Sequence, residues 1–232
     1  MSALRFRYQT SEFGAHDIHF RSLRDRQQFD DADGAADALG ISSASWPLFG
    51  MVWPSGEVLA QLMASYDIDG RRVLEIGCGV GLASLVLNAR MADITATDIH
   101  PAAEAFLKHN IALNNGRPIP FLRTAWEDEQ NDLYGIFDLI IGSDLLYERQ
   151  HSATLSHFIE HYAKPTCEVL MVEAGRGYGG KFTRDMASLG FSQKLLTAIA
   201  PSTDADNYRG KIHRFRRVAV PAAAPDIPVK DH

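Results

Sequence analysis

The chain has 232 residues, 46% of them hydrophobic, enough for one large core with appendages rather than several domains. Its 29 acidic against 23 basic residues give a formal net charge of −6, which opposes a broad nucleic-acid footprint. Two cysteines, Cys78 and Cys167, offer no disulfide framework and no metal-ligand spacing; no apolar run reaches membrane-spanning length, and Arg5, Arg7 and Glu12 interrupt any signal-peptide core, so a soluble cytoplasmic protein is expected.

Residues 1–50 stand outside the alternating core as an N-terminal β extension. Leu4 to Tyr8 and Ile18 to Leu23 alternate apolar with polar, as half-exposed strands do, and Asp30 to Gly34 is an acidic, turn-rich break. A strand or hairpin is predicted, acting either as a lid over a site or as an extension packed on the sheet edge. Ser45 to Ser55 gathers large apolar side chains and two prolines into a stiff approach. Ser55 is placed to cap the helix whose Val58, Leu59, Leu62, Met63 and Tyr66 share one face, and Trp53 to wall a ligand pocket.

Arg71 to Leu82 is the stretch that carries chemistry. Val73, Leu74 and Ile76 read as a buried strand; Gly77, Gly79 and Gly81 follow at alternate positions; Leu82, Leu85, Val86 and Ala89 then recur at helical spacing. Strand, glycine turn and helix make a nucleotide cradle, because glycine opens positive φ and lets a ligand approach the backbone. The dinucleotide fingerprint G-x-G-x-x-G fails by one residue, since Leu82 stands where its third glycine belongs. Glu75, just before the glycines, would repel a pyrophosphate but suits a ligand carrying an ammonium and a sulfonium. That ligand is S-adenosyl-L-methionine, leaving S-adenosyl-L-homocysteine as product. Asp93 to Asp98 reads as a second strand ending in an acid, about 20 residues past the turn, where a ribose diol would lie.

Pro101 then opens a helix through Phe106, Leu107 and Ile111, stopped by Asn114 to Gly116, and Pro120 to Trp126 reads as a third strand with Trp126 set against the adenine. Phe137 to Ser143 is a buried strand, and Ser143 at its end is a further candidate cofactor ligand. Asp144 and Tyr147 follow just beyond, where open parallel sheets bind ligands. A helix from His151 to Tyr162, a strand from Cys167 to Ala174, and a helix through Phe182 and Met186 closed by Gly190 continue the alternation. Phe191 to Ala200 and Lys211 to Val220 form a closing pair of strands, in which Arg214, Arg216 and Arg217 are expected to mark a solvated edge. The pattern predicts an α/β fold, a doubly wound Rossmann-like sheet with an antiparallel edge strand, over residues 51–220, with 221–232 an untied tail.

From Val52 to Gly190 the chain resembles the seven-strand S-adenosylmethionine-dependent methyltransferases. More closely, it is similar to the methyltransferase-like protein lysine methyltransferases, which share an acid-x-x-aromatic motif after the fourth core strand. The resemblance rests on Val-Leu-Glu-Ile-Gly-Cys-Gly-Val-Gly-Leu combined with Phe-Asp-Leu-Ile-Ile-Gly-Ser-Asp-Leu-Leu-Tyr. It implies that Gly77, Gly79 and Asp98 bind cofactor, that Trp53 and Trp126 line its pocket, and that Asp144 and Tyr147 meet an acceptor lysine. A protein substrate is the expected acceptor. A small-molecule, nicotinamide-like N-methyltransferase and a non-catalytic cofactor-binding module are the alternatives. A nucleic-acid amino-methyltransferase is disfavoured, because its acid-Pro-Pro-aromatic loop needs prolines where Leu145 and Leu146 stand.

In chemical terms, Asp144 would gain attraction as positive charge passes from sulfur to the attacking nitrogen. Tyr147 can aim its hydroxyl at that nitrogen, and His151 is a weak candidate for relaying the released proton.

Overall fold

A computed structural model describes residues 4–128, 135–146, 151–175, 179–197 and 208–219. Tyr147 and the expected tail at 221–232 lie outside the described residues. Strands β1 (Phe6–Phe13) and β2 (His16–Leu23) form an antiparallel hairpin turned at Gly14, whose φ is 61°. Alternation buries Ile18, Phe20 and Ser22 on one face. The 3-10 turns Asp37–Leu39 and Trp46–Gly50 form a strap leading into helix α1 (Pro54–Met63). The core then alternates: β3 (Arg72–Ile76), α2 (Leu82–Ala89), β4 (Asp93–Asp98), α3 (Ala103–Leu113), β5 (Phe121–Arg123), β6 (Phe137–Ser143), α4 (His151–Tyr162), β7 (Ala163–Glu173), α5 (Gly179–Ser188), β8 (Ser192–Leu196) and β9 (Lys211–Arg217).

The second sheet has seven strands in the order β5-β4-β3-β6-β7-β9-β8, so the chain reverses direction between β3 and β6. That reversal opens a crevice above their carboxyl ends. The one reversed strand is β9, pairing antiparallel with both β7 and β8. It lies one place in from the margin, because α5 carries the chain past the slot beside β7 and β9 returns into it.

Period-two alternation divides the core. Val73, Leu139, Ile141, Leu170 and Val172 face α1, α2 and α3, while Leu74, Ile76, Ile140, Val169 and Met171 face α4 and α5. Glu75 shares a face with Val73 and therefore points toward α2.

Several expectations change on contact with the fold. The hairpin does not extend the main sheet; β2 docks on the helix layer instead. Asn114 exchanges two hydrogen bonds with the His19 backbone (2.8 and 2.6 Å), and Asn110 two with Arg21 (2.9 and 3.2 Å). Two side-chain amides at i and i+4 of α3 thus satisfy the free edge of β2 as a third strand would. Ser55 does not cap α1: the cap residue is Trp53, Pro54 fills the first helical position, and Ser55 is fully buried within the first turn. The third core strand stops at Arg123: the Thr124 N–H makes the last ladder bond, to the Asp98 carbonyl (3.1 Å), and the Asp128 carboxylate then takes the Ala125 N–H (2.6 Å), turning the chain before Trp126. The β9 arginines are not a free edge: Arg214 and Arg216 face Glu168, and Arg217 pairs with Glu160.

Asn110 is fully buried, and its amide also donates to the Val80 carbonyl (2.9 Å), joining hairpin, α3 and glycine turn. Asn110→Ala leaves buried backbone groups unpaired and is expected to cost about 2–4 kcal/mol in urea unfolding, with faster proteolysis in residues 6–23. Unchanged stability and protection would show that the amide does not hold the hairpin.

Candidate active site

The site is built around the bend after β3. Gly77, Gly79 and Gly81 all have positive φ (61°, 54° and 79°), a region where side chains are strained. The room left by their missing Cβ atoms is taken by protein. A Cβ on Gly77 would stand 2.5 Å from Leu145 Cδ2, one on Gly79 2.7 Å from the Phe49 carbonyl oxygen, and one on Gly81 2.5 Å from Leu107 Cδ1. The glycines therefore let the strap, α3 and the chain after β6 close around the bend. Gly81 caps α2 outside the cleft lining, so it acts through the helix start.

Glu75 and Asp98 are both buried beside this bend, at 4% and 8% exposure. Glu75 Oε2 accepts the Ser84 N–H (2.9 Å) and is bonded by the Ser84 hydroxyl. It thereby satisfies an orphan amide in the first turn of α2, which its cap residue, a glycine, cannot do. Asp98 accepts the N–H of Gly79 through Oδ2 (2.8 Å) and of His100 through Oδ1 (2.9 Å). Burial pushes the Glu75 carboxyl up to about 7; its Ser84 bonds oppose the rise, and the Asp98 charge adds to it. Burial likewise raises Asp98, against its backbone hydrogen bonds.

These carboxylates stand in a cleft of about 610 Å³ that also exposes Trp53, Gly77, Gly79, Trp126, Ser143, Asp144 and His151. Trp53 is locked by an Nε1–H bond to the Leu48 carbonyl (3.0 Å) and by Arg26, whose guanidinium lies 4.6 Å over the ring. Trp126 meets His151 edge to face at 5.4 Å. Asp144 follows β6 with φ 55°, a left-handed conformation that Asp tolerates better than most side chains, and its N–H donates to the Val172 carbonyl (2.9 Å). Leu145 then folds back into the space kept free by Gly77 and Gly142, which fixes Asp144 at the cleft wall.

The cleft has members that the sequence reading did not assign. Leu39, Ile41, Leu48 and Phe49 of the strap line it, as does His100, stacked on Phe49 at 3.7 Å. The Trp-Pro pair at the strap hinted at a fixed approach, but nothing local to His100 marks it beyond its position two residues after Asp98.

A family profile described as "Lysine methyltransferase" matches residues 45–187, from the strap to the last turn of α5. The chain belongs to the lysine methyltransferase family. Similar curated proteins include protein N-lysine methyltransferase METTL21A of Danio rerio, 32% identical over 56% of this chain and 63% of that protein. The calmodulin-lysine N-methyltransferase of Arabidopsis thaliana is 31% identical over 60% of this chain and 49% of its own length. The electron transfer flavoprotein beta subunit lysine methyltransferase of Danio rerio is 30% identical, over 56% and 51%. The chain thus spans 49–63% of the length of these three relatives. Among solved structures, a Pyrococcus furiosus methyltransferase shares the fold at a TM-score of 0.58 and 16% identity, covering 82% of this chain and all of that one. Magnesium protoporphyrin IX methyltransferase from Synechocystis, solved with SAM, does so at 0.55 and 22%, covering 71% and 78%.

Within this lysine methyltransferase fold, Glu75 makes a pH signature. Its pKa is raised on folding from the usual 4.5 to about 7, so its neutral form favours the folded state and that contribution is full below pH 4.5. It is lost as pH rises through 7, a change on the order of 3 kcal/mol. Glu75→Gln keeps an acceptor for Ser84 and cannot ionise. The stability of wild type relative to this variant should therefore decline from pH 4.5 to 8 in thermal unfolding. A difference that stays flat with pH would contradict the burial of an ionising carboxyl here.

Proposed function

We propose that the chain is an S-adenosyl-L-methionine-dependent protein lysine N-methyltransferase. The observation that carries this reading is the pair of buried carboxylates, both raised in proton affinity by burial, at the switch point of a lysine methyltransferase fold. Burying two like acids in one cleft is unfavourable without a cationic ligand, and a donor bearing an ammonium and a sulfonium supplies the missing positive charge. The residues present fit that group. Gly77 and Gly79 offer backbone at the bend, Asp98 the ribose-binding acid, Trp53 and Trp126 apolar walls, Ser143 a hydroxyl, and Glu75 charge complementarity.

When bound, the donor supplies a sulfonium methyl: the lysine nitrogen lone pair forms the N–C bond while the C–S pair returns to sulfur, giving S-adenosyl-L-homocysteine and a proton released to water. Asp144 faces the nitrogen as positive charge grows there, so its attraction strengthens toward the transition state. Tyr147 is assigned beside it on the family resemblance alone. His151, half-buried in the cleft wall beside Trp126, is the nearest candidate to pass the proton outward. Relatives named for calmodulin and for the electron transfer flavoprotein beta subunit support a folded protein as acceptor. The net charge of −6 favours a basic acceptor surface over nucleic acid. Among the described residues no helix is long and apolar enough to cross a membrane.

Tritiated donor incubated with extract from cells lacking the enzyme is expected to label protein, at lysine. Label confined to nucleic acid or small molecules would overturn the acceptor class, and no label in any fraction the reaction itself. Asp144→Asn keeps the left-handed backbone and removes the charge. It should reduce transfer about 10²-fold or more with donor affinity nearly unchanged, whereas Asp98→Asn should weaken the donor measurably in calorimetry. Full transfer by Asp144→Asn would remove its assigned role.

A further inference from the structure

The last residue of β7, Glu173, pairs with the first residue of β9, Lys211, and the Asp144 N–H bonds to the neighbouring Val172 carbonyl. The chain entering β9 therefore arrives at the corner of the sheet occupied by Asp144. Tyr208 stands in that entering segment. Its hydroxyl donates to Ser55 Oγ (3.2 Å), which is fully buried in the first turn of α1. The next residue, Gly56, lines the cleft together with Ser143 and Asp144, and a Cβ built on it would lie 3.7 Å from Ser143 Oγ. A Cβ on Gly210 would collide with the Tyr208 ring and with the Glu173 backbone. Glycine at 210 thus allows the ring to fold inward over the end of β7.

The electrostatics of this corner match the geometry. Burial raises the Tyr208 pKa, the Ser55 bond opposes the rise, and the charges of Asp144 and Glu173 add to it. Glu173 is held by His213 Nε2 at 3.0 Å, a contact that keeps its own carboxyl below the usual range. A protonated phenol that donates to Ser55 keeps its oxygen lone pairs as acceptors. An aromatic face within reach of the charges of two carboxylates, joined through Ser55 to the cleft-lining Gly56, suits an alkylammonium group: methylenes against the ring, N–H groups toward oxygen.

We propose that Tyr208, fixed by Ser55 and Gly210, forms a wall of the acceptor channel beside Asp144 and orients the alkylammonium arm of the incoming lysine. The assignment rests on the lysine reading above and adds to it a residue beyond the acid-x-x-aromatic motif.

The probe that tests it is S-adenosyl-L-homocysteine carrying an aminoalkyl arm on sulfur, compared by calorimetry with S-adenosyl-L-homocysteine itself. In wild type the arm should tighten binding. Tyr208→Phe keeps the ring and should shrink that gain by about tenfold, as expected for one lost hydrogen bond to a charged group. Tyr208→Ala should erase it. All three proteins should bind unmodified S-adenosyl-L-homocysteine equally, which a merely structural role would not preserve. An arm gain in Tyr208→Ala equal to that of wild type overturns the proposal, as does a wild type that binds S-adenosyl-L-homocysteine but gains nothing from the arm. A wild type that binds neither compound removes the proposed function first, and this inference with it.

Discussion

Two carboxylates that the fold withdraws from water, Glu75 and Asp98, are the constraint on which the functional end of the molecule depends. They sit on adjacent parallel strands, Glu75 one residue from the end of β3 and Asp98 at the end of β4, and the Asp98 charge raises the cost of ionising Glu75. What makes their burial tolerable is backbone N–H supply. The left-handed glycines turn the Gly79 amide onto Asp98, and the first turn of α2 delivers the Ser84 amide to Glu75. The glycine bend thus serves to aim amides at acids as well as to let the strap, α3 and the chain after β6 close around it.

The opposite end of the sheet shows what the same residue type does when built for stability. Glu168, equally buried midway along β7, meets Tyr66, Arg71 and Arg214. Burial alone would raise it, yet these bonds hold its carboxyl below the ordinary range. There the charge is matched by the chain itself. At the carboxyl ends, Glu75 and Asp98 have amides and a hydroxyl but, among the described residues, no paired cation that accounts for their shifts, and both hold protons more tightly than free carboxyls do. The contrast separates a pole that ties strands together from a pole that the proposed function assigns to a positive ligand.

Most of the central sheet was legible because its signals are local. Val73 to Ile76, the alternate glycines and the periodic Leu82 to Ala89 each obey their own backbone rule, and β3, α2 and β4 appear where those rules put them. The place of Asp98 at the end of β4 was legible for the same reason. Features that depend on partners distant in sequence were not. Ser55 looks like a helix cap, but Pro54 lets the helix begin one residue earlier, and the hydroxyl is used 153 residues away by Tyr208. The β2 edge looks free to join a sheet until Asn110 and Asn114 occupy it. Trp126 reads as strand because nothing in the run Pro120 to Trp126 announces the Asp128 turn. The strap residues and His100 enter the cleft through stacking between segments some 50 residues apart, which no spacing rule anticipates.

The central claim of the proposed function is that burial raises the Glu75 carboxyl to about 7 and that a cationic donor displaces the proton it holds. Its most direct test is calorimetry of S-adenosyl-L-methionine binding near pH 6.5 in two buffers of different ionisation enthalpy, which counts protons exchanged. Release of a substantial fraction of a proton on binding, absent in Glu75→Gln, is the result this account predicts. Tight binding with no proton release in wild type would contradict it.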